Sequence, residues 1–157
     1  MKMRKTAIAL AAGLAVAGTL WTGGAAGAQT TAPARVLGPS CSVLGCSSVV
    51  NDSNTVATAL RNWCLSTGST GTLTTTRPAC GTQSTYLLGS KGSHTPWDQD
   101  WDVLQVDAGW CYYVKFTLPG QPDNYTRYDR RGKSAGWVKV EDFSDAHVLG
   151  QSQTSCP

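Results

Sequence analysis

Cys111 to Leu118 reads CYYVKFTL, and its alternation settles the class of the fold. Tyr112, Val114, Phe116 and Leu118 fall on one side; Tyr113, Lys115 and Thr117 fall on the other. A period of two over eight residues marks a strand with one buried face. Upstream, DVLQVD (Asp102 to Asp107) sets Leu104 and Val106 against Gln105, and the intervening Gly109-Trp110 is too short for a helix, which predicts a hairpin turn. Downstream, PGQPDN (119–124) is a turn by composition, Tyr125 to Asp129 a strand, Arg131-Gly132-Lys133 a turn and AGWVKV (Ala135 to Val140) a further strand. Short strands with turn signals about every ten residues predict a mainly β fold, an antiparallel barrel or sandwich. The last segment, DFSDAHVLGQSQTSCP, reads as a tail held only at Cys156.

Toward the N-terminus the pattern weakens. Tyr86-Leu87-Leu88 is a short apolar island, and LSTGSTGTLTTTRP suits turns and short strands. Asp52 or Ser53 is placed to cap one short helix carrying Val56, Leu60, Trp63 and Cys64 on one face, near the start of the mature chain. QTTAPARVLGPS (29–40) has two prolines and no periodicity, and is read as a flexible N-terminal arm. Residues 1–28 begin with Lys2, Arg4 and Lys5, continue through an apolar run to Leu20 and end in Ala25-Ala26-Gly27-Ala28, the pattern of a cleaved signal peptide. The run is about 15 residues, short of the roughly 20 that span a bilayer. Residues 41–157 are then a single disulfide-rich β-domain.

A resemblance follows from two Gly-Trp pairs. Gly109-Trp110 with its alternating strand, then Gly136-Trp137-Val138 after a turn, resembles the last three strands of a bacterial SH3-like barrel, over about residues 102–143. The resemblance implies an exported recognition module, often for cell-wall peptides, without enzymatic activity.

All six cysteines, Cys41, Cys46, Cys64, Cys80, Cys111 and Cys156, follow the leader. An even count in an exported chain predicts three disulfides, with Cys64–Cys80 the favoured local loop and the other pairings open. No CxxC pair supports zinc, and no thiol is left over as a nucleophile.

Net charge is +3, but three cations sit in the leader, so the remainder is balanced. A nucleic-acid or membrane binder would keep a basic excess, and neither partner is expected. The most unusual stretch is PWDQDWD (96–102). Asp98, Asp100 and Asp102 alternate, so they share one strand face or line one loop, and adjacent like charges raise one another's pKa. Calcium is one reading of these carboxylates. An EF-hand is excluded, because Val103 and Gly109 stand where Gly and Glu are required. A solvated acidic loop, answered by Arg127, Arg130, Arg131 and Lys133 from elsewhere, is the favoured alternative, so no metal is expected. Trp97 and Trp101, set among polar residues, fit either packing or a recognition surface.

These readings predict a secreted, extracellular, non-catalytic binding protein without cofactor. Its partner is expected to be a secreted or surface protein, met as an inhibitor, an adaptor subunit or a wall-associated module. The expected binding residues are Trp97, Asp98, Asp100, Trp101, Asp102, Arg127, Arg130 and Arg131. The arm favours the adaptor role, because an extended segment can add to a partner's sheet edge. Two alternatives stand: a small secreted hydrolase, nuclease-like or wall-degrading, using His94, His147 and the Asp98–Asp102 carboxylates, and a carbohydrate-binding module using Trp97 and Trp101.

Overall fold

The alternation in CYYVKFTL builds the strand β7 (Cys111–Thr117), in which Tyr112, Val114 and Phe116 are fully buried while Tyr113, Lys115 and Thr117 keep solvent contact. The structure is a computed structural model that describes residues 41–42 and 45–157; the expected signal peptide (1–28) and arm (29–40) lie outside the described residues. The other strands are β1 (Ser48–Asn51), β2 (Ala57–Leu60), β3 (Leu73–Thr74), β4 (Thr85–Leu88), β5 (Ser93–His94), β6 (Val103–Val106), β8 (Asn124–Asp129), β9 (Gly136–Lys139) and β10 (Asp145–Ser152). They form two five-stranded sheets: sheet A in the order β5-β1-β10-β7-β8, and sheet B in the order β3-β9-β6-β2-β4.

Both sheets contribute to one apolar core. Val49, Val114, Phe116, Ala146 and Val148 come from sheet A; Ala57, Ala59, Leu104, Val106 and Val138 come from sheet B. The fold is therefore mainly β, as expected, but the sheets do not close into a barrel. The described residues contain no helix, and none long and apolar enough to cross a membrane.

Four expectations are corrected. The segment expected as a helix forms β2, a strand hydrogen-bonded on both sides, to β4 and to β6. Its inward residues include Ala57 and Ala59, both fully buried, whereas Val56 is 53% exposed. Small alanines carry little hydrophobic signal, so their period of two was hidden beneath the larger side chains around them. Ser53 caps nothing; its hydroxyl donates to Asn51 Oδ1 at 2.7 Å, and the Asn51 amide group holds the carbonyls of Thr55 and Gly89, each at 2.7 Å.

Gly109-Trp110 is not the turn of a hairpin, because β6 and β7 lie in different sheets and the pair carries the chain across. The residues held to be a tail form β10, the middle strand of sheet A. It runs parallel to β1 and antiparallel to β7, with a shift of register between Val148 and Gly150. The β1–β10 pair is the one parallel ladder among the described strands, so the sheets are not wholly antiparallel. The expected turn at PGQPDN does form, and it joins β7 to β8 as a hairpin.

Disulfides join Cys41 to Cys46, Cys64 to Cys80 and Cys111 to Cys156, and no cysteine is free. The first residue of β7 is thus tied to the chain beyond β10, closing a separation of 45 residues against 16 for Cys64–Cys80. Because loop-closure entropy grows with the logarithm of length, replacing Cys111 and Cys156 together by Ala should cost about 4 kcal/mol, and the Cys64/Cys80 pair about 3 kcal/mol. Urea unfolding of the two double variants measures the order.

Candidate functional site

The eight residues expected to bind are not one patch. Trp97 lies beyond β5, where its ring stacks on His94 with centroids 4.1 Å apart. Asp98 beside it is exposed. Arg127 is on β8, the opposite edge of sheet A, four strand spacings or roughly 19 Å away. Arg130 and Arg131 begin the turn into β9. Trp101 is only 3% exposed and meets Tyr86 edge-on at 5.3 Å, so its ring is core. Alternation explains the division: Asp100 and Asp102 face one way, which turns Trp101 the other.

Asp100 and Asp102 meet a third acid, Asp142, from the connection between β9 and β10, and each offers an oxygen within 4.8 Å of the others. The partner was out of reach of a sequence reading, because 40 residues separate it from Asp102 and only β6–β9 pairing brings it near. Ser47 serves the cluster twice: its amide donates to Asp100 Oδ1 at 2.8 Å, and its hydroxyl lies 2.7 Å from the same oxygen and 3.1 Å from Asp102 Oδ1. The Trp63 amide donates to Asp102 Oδ2 at 3.2 Å.

Burial, then the neighbouring Asp100 charge, pushes the Asp102 carboxyl up to about 7, against the opposing bonds from Trp63 and Ser47. Burial and Asp100 also raise Asp142. A cleft of about 400 Å³ opens beside them, lined by Trp63, Asp102, Lys139, Glu141, Asp142 and Phe143, whose φ of 59° is a left-handed backbone conformation. The cluster supplies hard oxygens of the kind calcium takes, but three carboxylates fall short of its usual six to eight ligands. A retained proton and the Ser47 bonds already account for the close approach.

The arginines do not answer these acids. Arg131 pairs with Asp129 at 2.7 Å, Arg130 donates to the Ser134 carbonyl at 2.7 Å, and Arg127 donates to the Pro157 carbonyl. The cation beside the cleft is Lys139, 3.5 Å from Glu141 and donating to the Gly68 carbonyl at 2.8 Å.

A second arrangement covers the outer face of sheet A. Register sets His94, Val50, His147, Lys115 and Tyr125 in one row across all five strands. In the neighbouring row Tyr113 stands opposite Arg127, whose guanidinium lies 4.6 Å from the Tyr113 ring centre. Tyr125, half exposed, stacks on the same ring at 6.0 Å. Sequence reasoning named Arg127 but missed Tyr113 and Tyr125. Their signal was available, since the outward positions of an alternating strand are as legible as the inward ones.

The Asp102 shift fixes the sign of a pH effect. Between about pH 4 and 7 the folded protein keeps a proton that the unfolded chain releases, so stability falls as pH rises through this window and the penalty is complete above it. Asp142 adds in the same sense. Asp129, held low by Arg131, acts in the opposite sense below the window. The melting temperature should be higher at pH 5 than at pH 8, and Asp102→Asn should flatten the difference.

Comparison with protein-family models, with curated proteins and with solved structures finds no match to this chain.

Proposed function

We propose that this chain is a secreted binding protein that recognises another protein through β8 of sheet A. Three disulfides are consistent with an extracellular setting, where such bonds persist. The observation that carries the reading is the condition of the sheet edges. β3 and β5 have two residues each and β4 has four, short lengths that blunt an edge against pairing. β8 has six residues, no proline and no recorded bulge.

Its backbone groups can be assigned by alternation. The Arg130 amide donates to the Trp110 carbonyl at 2.8 Å, one step beyond the β7–β8 ladder. Antiparallel pairs alternate between bonded and non-bonded. Asn124, Thr126 and Tyr128 therefore spend their amides and carbonyls on β7, and Tyr125, Arg127 and Asp129 turn theirs outward.

An added strand would gain main-chain bonds from these groups. Side chains would set the choice of partner. Arg127 calls for a carboxylate, while Tyr125 and Tyr113 offer flat apolar surface of the kind that anchors interfaces. The fitting partner segment is thus extended and acidic. An inhibitor, an adaptor and a wall-associated module would all use such an edge. The Asp100–Asp102–Asp142 group is a framework feature in this reading, tying the start of β1 to β6 and to the entry of β10.

A nine-residue peptide alternating Glu and Thr tests the proposal, with its Lys–Thr counterpart as control. The acidic peptide should bind at least tenfold tighter. Tyr125→Pro should abolish binding while Tyr125→Ala keeps part of it, because proline removes an outward amide that β7 does not use. Equal binding of the two peptides overturns the reading. So does full binding by Tyr125→Pro at an unchanged melting temperature.

A further inference from the structure

Two histidines stand on one sheet face with a single strand between them. Val50 on β1 is paired with His147 of β10 on one side and with His94 of β5 on the other. Successive strands lie about 4.8 Å apart, so the two histidine backbones are separated by about 10 Å and their side chains leave the same face. Each imidazole is held by one nitrogen. His147 Nδ1 lies 3.0 Å from Asp52 Oδ2, and His94 Nδ1 lies 2.8 Å from the Thr95 carbonyl oxygen. Both partners only accept hydrogen bonds, so in each ring Nδ1 carries a hydrogen and Nε2 is the nitrogen left to exchange a proton. No Nε2 bond is recorded for either among the described residues. His94 is braced further by the Trp97 ring stacked upon it.

We infer that His94 and His147 form a general acid/base pair that cleaves phosphodiester bonds carrying a neighbouring hydroxyl, as in RNA. His94, whose Nδ1 faces a neutral carbonyl, is the base; His147, ion-paired with Asp52 when protonated, is the acid. His94 Nε2 takes the proton of the ribose 2′-hydroxyl, and that oxygen attacks phosphorus. The bond from phosphorus to the 5′ oxygen breaks, and the departing oxygen receives the Nε2 proton of His147. The products are a 2′,3′-cyclic phosphate and a 5′-hydroxyl end, and no metal, oxidant or co-reactant is consumed.

Lys115 is the cation placed to hold the phosphate, since it is the residue opposite His147 in the same row. Its surface pair with Asp123, at 3.7 Å, is weak and exchangeable. Balanced whole-chain charge argued against a nucleic-acid substrate; what this face offers one is two imidazoles and Lys115 in a single row rather than a basic patch. The acids near the row are Asp52, Asp123, Asp98 and Asp145. The first two are paired as described, and Asp145 takes hydrogen bonds from Ser48 and Thr117.

The two histidines lie on β5 and β10, whereas peptide recognition uses the β8 edge; Lys115 of β7 adjoins Tyr125 of β8, so the histidine variants, not Lys115, separate the two readings. The test uses the full chain with its disulfides intact, a short RNA oligonucleotide and a DNA oligonucleotide of the same sequence, in EDTA. RNA should be cut to cyclic-phosphate ends while DNA stays whole. His94→Gln and His147→Gln should each lower kcat/KM at least about 100-fold at an unchanged melting temperature. The bell-shaped pH profile should lose its acid limb in the first variant and its alkaline limb in the second. Absence of RNA cleavage, equal cleavage of DNA, or undiminished activity in both variants overturns the inference. Loss of β8 peptide binding has no bearing on it.

Discussion

Sheet A depends on one insertion. β10 lies between β1 and β7, parallel to one and antiparallel to the other, and without it the first strand of the domain has only the two residues of β5 beside it. The inward residues of β10, Ala146 and Val148, are fully buried in the shared core, so the same strand closes the sheet and fills the space beneath it. Its entry is fixed by Asp145, bonded to Ser48 and Thr117 on the two flanking strands, and its exit by the bond from Cys156 to Cys111. Long-range pairing, not local propensity, gives the fold its shape.

What could be read in advance follows the same division. β6 and β7 were legible because each sets large apolar side chains against polar ones, and β8 and β9 because turn signals bracket short runs. β2 was not, since its buried positions include alanines, and the larger residues near it happened to fall at helical spacing. β10 was not, because its inward pair, Ala146 and Val148, is short and the alternation breaks at Leu149-Gly150 where the register shifts, and its partners β1 and β7 lie far back in the sequence. Of the site residues, Asp100 and Asp102 were placed on a common face by their spacing. Asp142 is brought to them by tertiary structure alone. Trp101, whose polar neighbours left packing and recognition both open, is core, because alternation assigns it to the side opposite those neighbours.

The two sheets divide the work of the surface. Lys139 of sheet B, with Asp102 just before β6 and Trp63 just after β2, lines a cleft where half-buried carboxylates oppose folding at neutral pH, an arrangement that folding tolerates because Ser47 and the Trp63 amide offset part of the cost. Sheet A shows solvent a row of imidazoles, an ammonium and phenol rings built on strands, the elements that place side chains most firmly. Functional groups on that face are held by register rather than by loops.

The order of the strands also bears on how the molecule is made. A polypeptide emerging from its N-terminus cannot assemble the first sheet until residue 152 is free, because the central strand is the last to arrive. Until then β1 has no neighbour except β5, and Cys111 has no partner to oxidise with. Sheet B, by contrast, has all its strands once Lys139 has emerged, so the two sheets are completed in turn and the bond that locks sheet A is the last to be made.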